Sequence, residues 1–115
     1  MTPRQFASLK IRAEVFRALG QPTRLGIVEL LQGRDMQVSE IAEHLDADLT
    51  SVSKHLAVLR GLGLVEGRKV GLKLSCTLAV PQLGAFVRCV EERVAQRMIK
   101  DKTGSGSQRS AGGQE

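Results

Sequence analysis

The chain predicts a mainly α fold with one small β-hairpin, and three observations carry that expectation. Apolar residues recur at helical spacing in five separate segments. Two of those segments, in the middle of the chain, are separated only by Asp46-Ala47-Asp48, a short polar turn. The stretch from Leu64 to Leu78 then alternates apolar and polar residues about a Lys69-Val70-Gly71 tip, as two strands and a turn would. A length of 115 residues suits a single core and is too short for two.

The first helix follows from Phe6, Leu9, Ala13, Phe16 and Leu19, with Gly20 as its C-cap. Pro22 opens the second, whose apolar face is Leu25, Ile27, Val28, Leu30 and Leu31, closed by Gly33. Ser39 is expected to cap a third helix with an acidic first turn (Glu40, Glu43) and Ile41, Ala42 and Leu45 inward. The fourth runs from Leu49 or Thr50 to Leu62, with Val52, Leu56 and Leu59 inward and either Thr50 or Asp48 as its cap; Gly61 and Gly63 end it. Strands are expected over Leu64–Arg68 and Leu72–Leu78. Pro81 opens a last helix with the stripe Leu83, Phe86, Val87, Val90, Val94 and Met98. The domain therefore spans residues 1–102, and the Gly-, Ser- and Gln-rich remainder, 103–115, reads as a disordered tail.

Composition narrows the function. No run approaches the roughly 18 apolar residues of a membrane helix, and the first residues hold no apolar signal region, so a cytoplasmic location without membrane association is expected. Two cysteines, Cys76 and Cys89, fit reduced thiols better than a disulfide scaffold. With aromatic residues at only 3%, stacking on single-stranded nucleic acid has few platforms. The net charge of +5 is unevenly spread: residues 34–48 carry −4 and residues 49–73 carry +4. A polyanion would be drawn to the second segment and repelled by much of the first.

That basic segment coincides with the helix and hairpin following the central turn. A helix-turn-helix with a β-ribbon beside it places one helix in a DNA major groove and the ribbon, or wing, along the backbone. The expected partner is double-stranded DNA. Thr50, Ser51 and Ser53 are short hydroxyls that let a helix approach base edges or phosphates, and Lys54 and His55 reach further. Ser53 and His55 face either the groove or the neighbouring helices. Arg68, Lys69 and Lys73 in the wing suit backbone or minor-groove contacts, whereas Arg60 serves either the groove or an ion pair.

These residues resemble a known family. Ala18-Leu19-Gly20-Gln21-Pro22-Thr23-Arg24-Leu25-Gly26-Ile27-Val28-Glu29-Leu30-Leu31 resembles the opening of ArsR-type winged-helix repressors. Val52-Ser53-Lys54-His55-Leu56-Ala57-Val58-Leu59-Arg60, followed by Gly63-Leu64-Val65, is similar to that family's recognition helix and its exit into the wing. The likeness covers roughly residues 6 to 98. It implies a winged helix-turn-helix that dimerises through its N- and C-terminal helices and represses transcription from an operator near its own promoter. Phe6, Leu9 and Phe16 in the first helix, with Leu83, Phe86, Val87, Val90 and Val94 in the last, would form the homodimer interface; the alternative is that both helices close the monomer core. Two-fold symmetry would make the operator an imperfect inverted repeat.

The chain departs from the family where effectors are concerned. Gln37-Val38-Ser39 stands where a metal-sensing member carries a Cys-Val-Cys-like stretch, and residues 81–100 hold neither His nor Asp. His44 and His55 have no neighbouring Cys, so no metal and no cofactor is expected. The family's usual Gln is Leu49 here, which alters base readout at that position. Cys76 and Cys89 are either packed small hydrophobes or a thiol sensor, and Arg88 and Arg93 flank Cys89. Nothing in the chain resembles an enzyme's phosphate loop, nucleophile with base, or acid pair. The rival reading is a winged-helix module that binds protein, since fold does not fix function.

Overall fold

A computed structural model of the chain describes residues 1–103; the expected tail lies outside the described residues from 104 onward. The elements run α1 (Pro3–Leu19), α2 (Pro22–Leu30), β1 (Met36–Gln37), α3 (Val38–Leu45), α4 (Leu49–Gly61), β2 (Val65–Val70), β3 (Lys73–Leu78) and α5 (Leu83–Thr103). They form two units, one of residues 1–81 and one that begins at Gln82 and contains α5. No helix among the described residues is long and apolar enough to cross a membrane.

Four of the five helix starts have an identifiable cause. Thr2 caps α1: its hydroxyl accepts the Gln5 N–H at 3.1 Å while Gln5 Oε1 accepts the Thr2 N–H at 2.7 Å, and Pro3 takes the first helical position. Gln21 caps α2 by accepting the Arg24 N–H at 2.9 Å, again with Pro at the first position. The expected Ser39 cap of α3 is corrected: the helix starts at Val38, and the Gln37 N–H donates to Glu40 Oε1 at 2.8 Å. A carboxylate reaching back from the first turn takes the part that the sequence suggests for a hydroxyl. Asp48 is the α4 cap, its Oδ1 accepting the Ser51 N–H at 3.2 Å. The last helix starts at Leu83 rather than Pro81.

The turn between α3 and α4 is closed by Asp46, whose φ of 50° is left-handed, so that the Ala47 N–H reaches back to the Ala42 carbonyl at 3.0 Å. Short aspartates tolerate that conformation better than most residues do. The turn is thereby tight enough to set α4 against α2 and α3.

The hairpin expected from the alternation is present, and a third strand joins it. The sheet order is β1-β3-β2, antiparallel throughout, with Met36 opposite Cys76 and Gly67 opposite Cys76 on the other side. The expected Lys69-Val70-Gly71 tip is corrected: Lys69 and Val70 pair with Leu74 and Lys73, so the tip is the two-residue loop Gly71-Leu72, with φ +66° at Gly71. Glycine in the first central position is what a tight II′ hairpin turn requires.

The core of the first unit is built from α2 and its C-cap (Ile27, Val28; Leu31), α3 (Ile41, Ala42), α4 (Val52, Leu56, Leu59) and the sheet (Met36, Val65, Cys76, Leu78). Fully burying each large aliphatic side chain contributes about 1.5–3 kcal/mol, and most of these belong to the three helices around the central turn. Ala18 and Leu19 add the C-terminal end of α1. Leu19 thus turns into the core, whereas Phe6 and Phe16 on another face of α1 are 52% and 60% exposed. On α5, Phe86, Val90, Val94 and Met98 are exposed, and Leu83 and Val87 are half-buried.

Candidate nucleic-acid interface

Helix α4 presents one face inward and one outward. Val52, Leu56 and Leu59 are buried, while Thr50, Lys54, Ala57 and Gly61 follow at spacings of four, three and four on the opposite side, all exposed. Ala57 and Gly61 have almost no side chain, so the second half of that face is smooth and admits a close approach. Ser53 is exposed on one flank; Ser51, half-buried on the other, has its backbone N–H held by Asp48. Leu49 stands 54% exposed at the first helical position.

The strand register sorts the wing bases. Residues directly opposite in an antiparallel pair share a face of the sheet. Lys69 is opposite Leu74, on the face that carries Cys76 and Leu78 into the core. Arg68 is opposite Ser75 and Lys73 opposite Val70, on the other face. All three cations are exposed, and they straddle the hairpin instead of lining one side of it.

Two residues of α4 are engaged within the protein. His55 is half-buried, and its Nδ1 accepts a hydrogen bond from Arg24 Nε at 3.0 Å. Arg24 also donates through Nη1 to the Ala18 carbonyl at 3.2 Å. Arg60, expected either in the groove or in an ion pair, lies against Gly67 of β2: a Cβ there would stand 3.0 Å from Arg60 Nε. Beside that contact an open cleft of about 700 Å3 is lined by Arg60 and Arg68 together with Asp35 and Glu66. Sequence reasoning missed the role of Arg24; the available signal was a cation in the first turn of a helix, where the dipole disfavours one.

The two cysteines differ sharply. Cys76 is fully buried between Met36 and Gly67, and burial pushes its thiol above its ordinary pKa, against the smaller opposing pull of the Arg60 charge. Desolvation disfavours the thiolate there. Cys89 is exposed on α5. Among the described residues, no three His, Cys, Asp or Glu side chains converge as a metal site would need.

Known proteins share this architecture. Residues 21–67 match the model of the bacterial regulatory protein, arsR family. Rv0081, an uncharacterized HTH-type transcriptional regulator of Mycobacterium tuberculosis, is 31% identical over 105 residues, covering 90% of this chain and 91% of its own. Its crystal structure gives a TM-score of 0.70 at 31% identity over 90% of this chain and 99% of that one. CmtR, an HTH-type transcriptional regulator of Mycobacterium bovis, is 36% identical over 107 residues, 81% of this chain and 91% of its own. The solution structure of Mb0332 from Mycobacterium bovis, a homodimeric winged helix-turn-helix DNA-binding domain and possible ArsR-family regulator, gives a TM-score of 0.70 at 30% identity, over 88% and 93% of the two chains. A helix-turn-helix with a hairpin wing, matched across nearly its whole length by such regulators, places this chain in the ArsR family of winged helix-turn-helix transcriptional regulators.

Proposed function

We propose that the chain is a cytoplasmic repressor that binds duplex DNA as a homodimer, with α4 in the major groove and the β2–β3 wing along the backbone. The observation that carries this reading is the outward face of α4: exposed Thr50 and Lys54 lead into the smooth Ala57 and Gly61, beside a wing bearing Arg68, Lys69 and Lys73. Lys54 and the wing cations supply charge for phosphates, while Thr50, Ser51 and Ser53 lie at the helix end that enters the groove first. His55 contributes through the nitrogen that Arg24 leaves open. On α1 the exposed Phe6 and Phe16 with the half-buried Leu9, and separately on α5 the exposed Phe86, Val90 and Val94 with the half-buried Leu83 and Val87, would be covered by the second subunit. The homodimeric Mb0332 supports that assembly. Two recognition helices related by a two-fold axis then read half-sites about one DNA turn apart.

Selection from a random duplex library with the purified protein tests this directly. The expected result is an enriched imperfect inverted repeat, bound with an affinity that falls steeply with salt. Recovery of no preferred sequence, with weak binding indifferent to salt, would overturn it.

A further inference from the structure

Arg24 occupies a place that its own helix does not favour. It lies in the first turn of α2, where the positive end of the helix dipole disfavours a cation, and that turn contains no acidic residue to offset it. Its side chain instead leaves α2 altogether. One nitrogen, Nη1, donates to the carbonyl of Ala18 at 3.2 Å, one of the last carbonyls of α1, which lack helical partners. There a cation is favoured, because the C-terminal end of a helix is negative. Its Nε donates to His55 Nδ1 at 3.0 Å, on the DNA-reading helix. A single guanidinium therefore joins the end of α1, the start of α2 and the flank of α4, and the Gln21 cap on the Arg24 N–H fixes the backbone from which it reaches.

The chemistry of that contact fixes the imidazole. A guanidinium carries only donors and does not lose its proton in proteins, so His55 Nδ1 must present a lone pair. The proton of the neutral ring then resides on Nε2, the nitrogen that Arg24 does not engage. His44 is held the opposite way: its Nδ1 lies 2.9 Å from the Glu40 carbonyl, an acceptor, so in the neutral ring the proton resides on Nδ1. The two histidines of the chain are thus set in opposite tautomers by their partners.

We infer that Arg24 is a positioning residue for DNA recognition: it locks His55 as an Nε2–H donor for a DNA acceptor and anchors α4 to the end of α1. The inference rests on the DNA-binding reading above. It assigns Arg24 no contact with DNA. Its effect passes through His55 and through the hydrogen-bonded link it makes between α4 and the end of α1. An acceptor-rich polyanion takes a donor at that position; a ring presenting its lone pair there would repel phosphate oxygens.

The test begins on the whole 115-residue chain without DNA. Long-range proton–nitrogen NMR spectra of the neutral histidine rings should show one ring protonated at Nε2 and one at Nδ1. A His44→Asn variant assigns them, and Arg24→Ala should release the Nε2 ring to a mixture of tautomers. Operator affinity is then compared across variants whose melting curves show them folded. Arg24→Ala and His55→Ala should each weaken binding about tenfold, the size of one charge-assisted or base-directed hydrogen bond. His55→Gln, which keeps both an acceptor for Arg24 and a donor, should stay within about threefold of the parent.

A His55 ring protonated at Nδ1, or unchanged by Arg24→Ala, would overturn the inference whatever the binding data. The expected tautomer with full affinity in both alanine variants would overturn the positioning role alone. A parent protein that enriches no duplex would sink the DNA-binding reading, and this role with it, before any variant is compared.

Discussion

The guanidinium of Arg60 occupies the space that a side chain on Gly67 would need. A Cβ built on Gly67 would stand 3.0 Å from Arg60 Nε and 3.1 Å from its Cζ, with Leu74 Cδ1 also at 3.0 Å. The last turn of α4 thus rests on the middle of β2 at a position open only because the strand has a glycine there. Gly67→Val would drive Arg60 and Leu74 aside and should destabilise the first unit by about 1–3 kcal/mol, as overpacking generally does. Urea titration measures the effect. Adding Arg60→Ala to Gly67→Val should recover part of it, and strict additivity of the two substitutions would show that the residues do not touch.

Behind Gly67 lies Cys76, and its burial sets a reactivity contrast with Cys89. An exposed thiol on α5 should be alkylated in the native protein, whereas Cys76 should react only when the sheet opens, on the order of 1,000-fold more slowly. Mass spectrometry of peptides after brief alkylation would resolve the two rates. Equal rates would refute the enclosed position of Cys76.

The same burial predicts a pH dependence. The folded state holds the Cys76 proton to a higher pH than the unfolded chain does, because desolvation outweighs the pull of Arg60. The resulting stabilisation is complete below the ordinary cysteine value and is lost as pH rises through the raised folded value. Unfolding free energy should therefore fall across the alkaline range, and Cys76→Ala should flatten that fall. Arg60→Ala should steepen it, since the charge that opposes desolvation would be gone.

Much of this architecture is legible in the residues because its signals are local. Pro22 after Gln21, the apolar spacing of Val52, Leu56 and Leu59, and the alternation from Leu64 to Leu78 each state an element within a few residues. Strand β1 does not, because two residues cannot show a period; Met36 is a strand only by virtue of Cys76 forty residues on. The α3 cap misleads for a related reason. Ser39 suits a cap by type, yet Glu40 reaches back to Gln37 and moves the start forward. For the site, the hydroxyls and bases of α4 are readable one by one. The division of the wing cations between two faces depends on register, and the clasp of Arg24 on His55 spans 31 positions of sequence.

The contribution of charge to DNA affinity separates from that of sequence readout. Lys54 stands on the outward face of α4 and Lys69 near the hairpin tip, both exposed. Removing one phosphate-neutralising cation should lower the slope of log affinity against log salt by about 0.9. Lys54→Ala should therefore flatten the salt dependence by about that amount, and Lys69→Glu by somewhat more because it adds repulsion. Ser51→Ala should leave the slope in place and change which half-site sequences are preferred. Fluorescence anisotropy on operator and scrambled duplexes over a series of salt concentrations measures both quantities. Unchanged slopes in both lysine variants would remove α4 and the wing from the phosphate backbone.

The apolar stripe of α5 is the strongest candidate for subunit contact, because nothing polar interrupts it. Phe86, Val90 and Val94 recur at spacings of four and are 52%, 49% and 51% exposed, so they cover one face of the helix with aromatic and branched carbon. A monomer that left this face in water would forgo roughly 2 kcal/mol for each large side chain. In a two-fold dimer every substitution enters twice. Phe86→Glu would remove two such anchors and place two carboxylates near one another in a low-dielectric seam. The dimer dissociation constant should rise by roughly 1,000-fold, the equivalent of removing two hot spots. Sedimentation equilibrium would read the change, and a Glu92→Lys control on another face of α5 should leave the constant near its original value. The same Phe86→Glu protein should bind a single half-site about as well as the parent subunit does, yet lose its advantage on the full inverted repeat. Retention of a tight dimer by Phe86→Glu would move the interface away from α5.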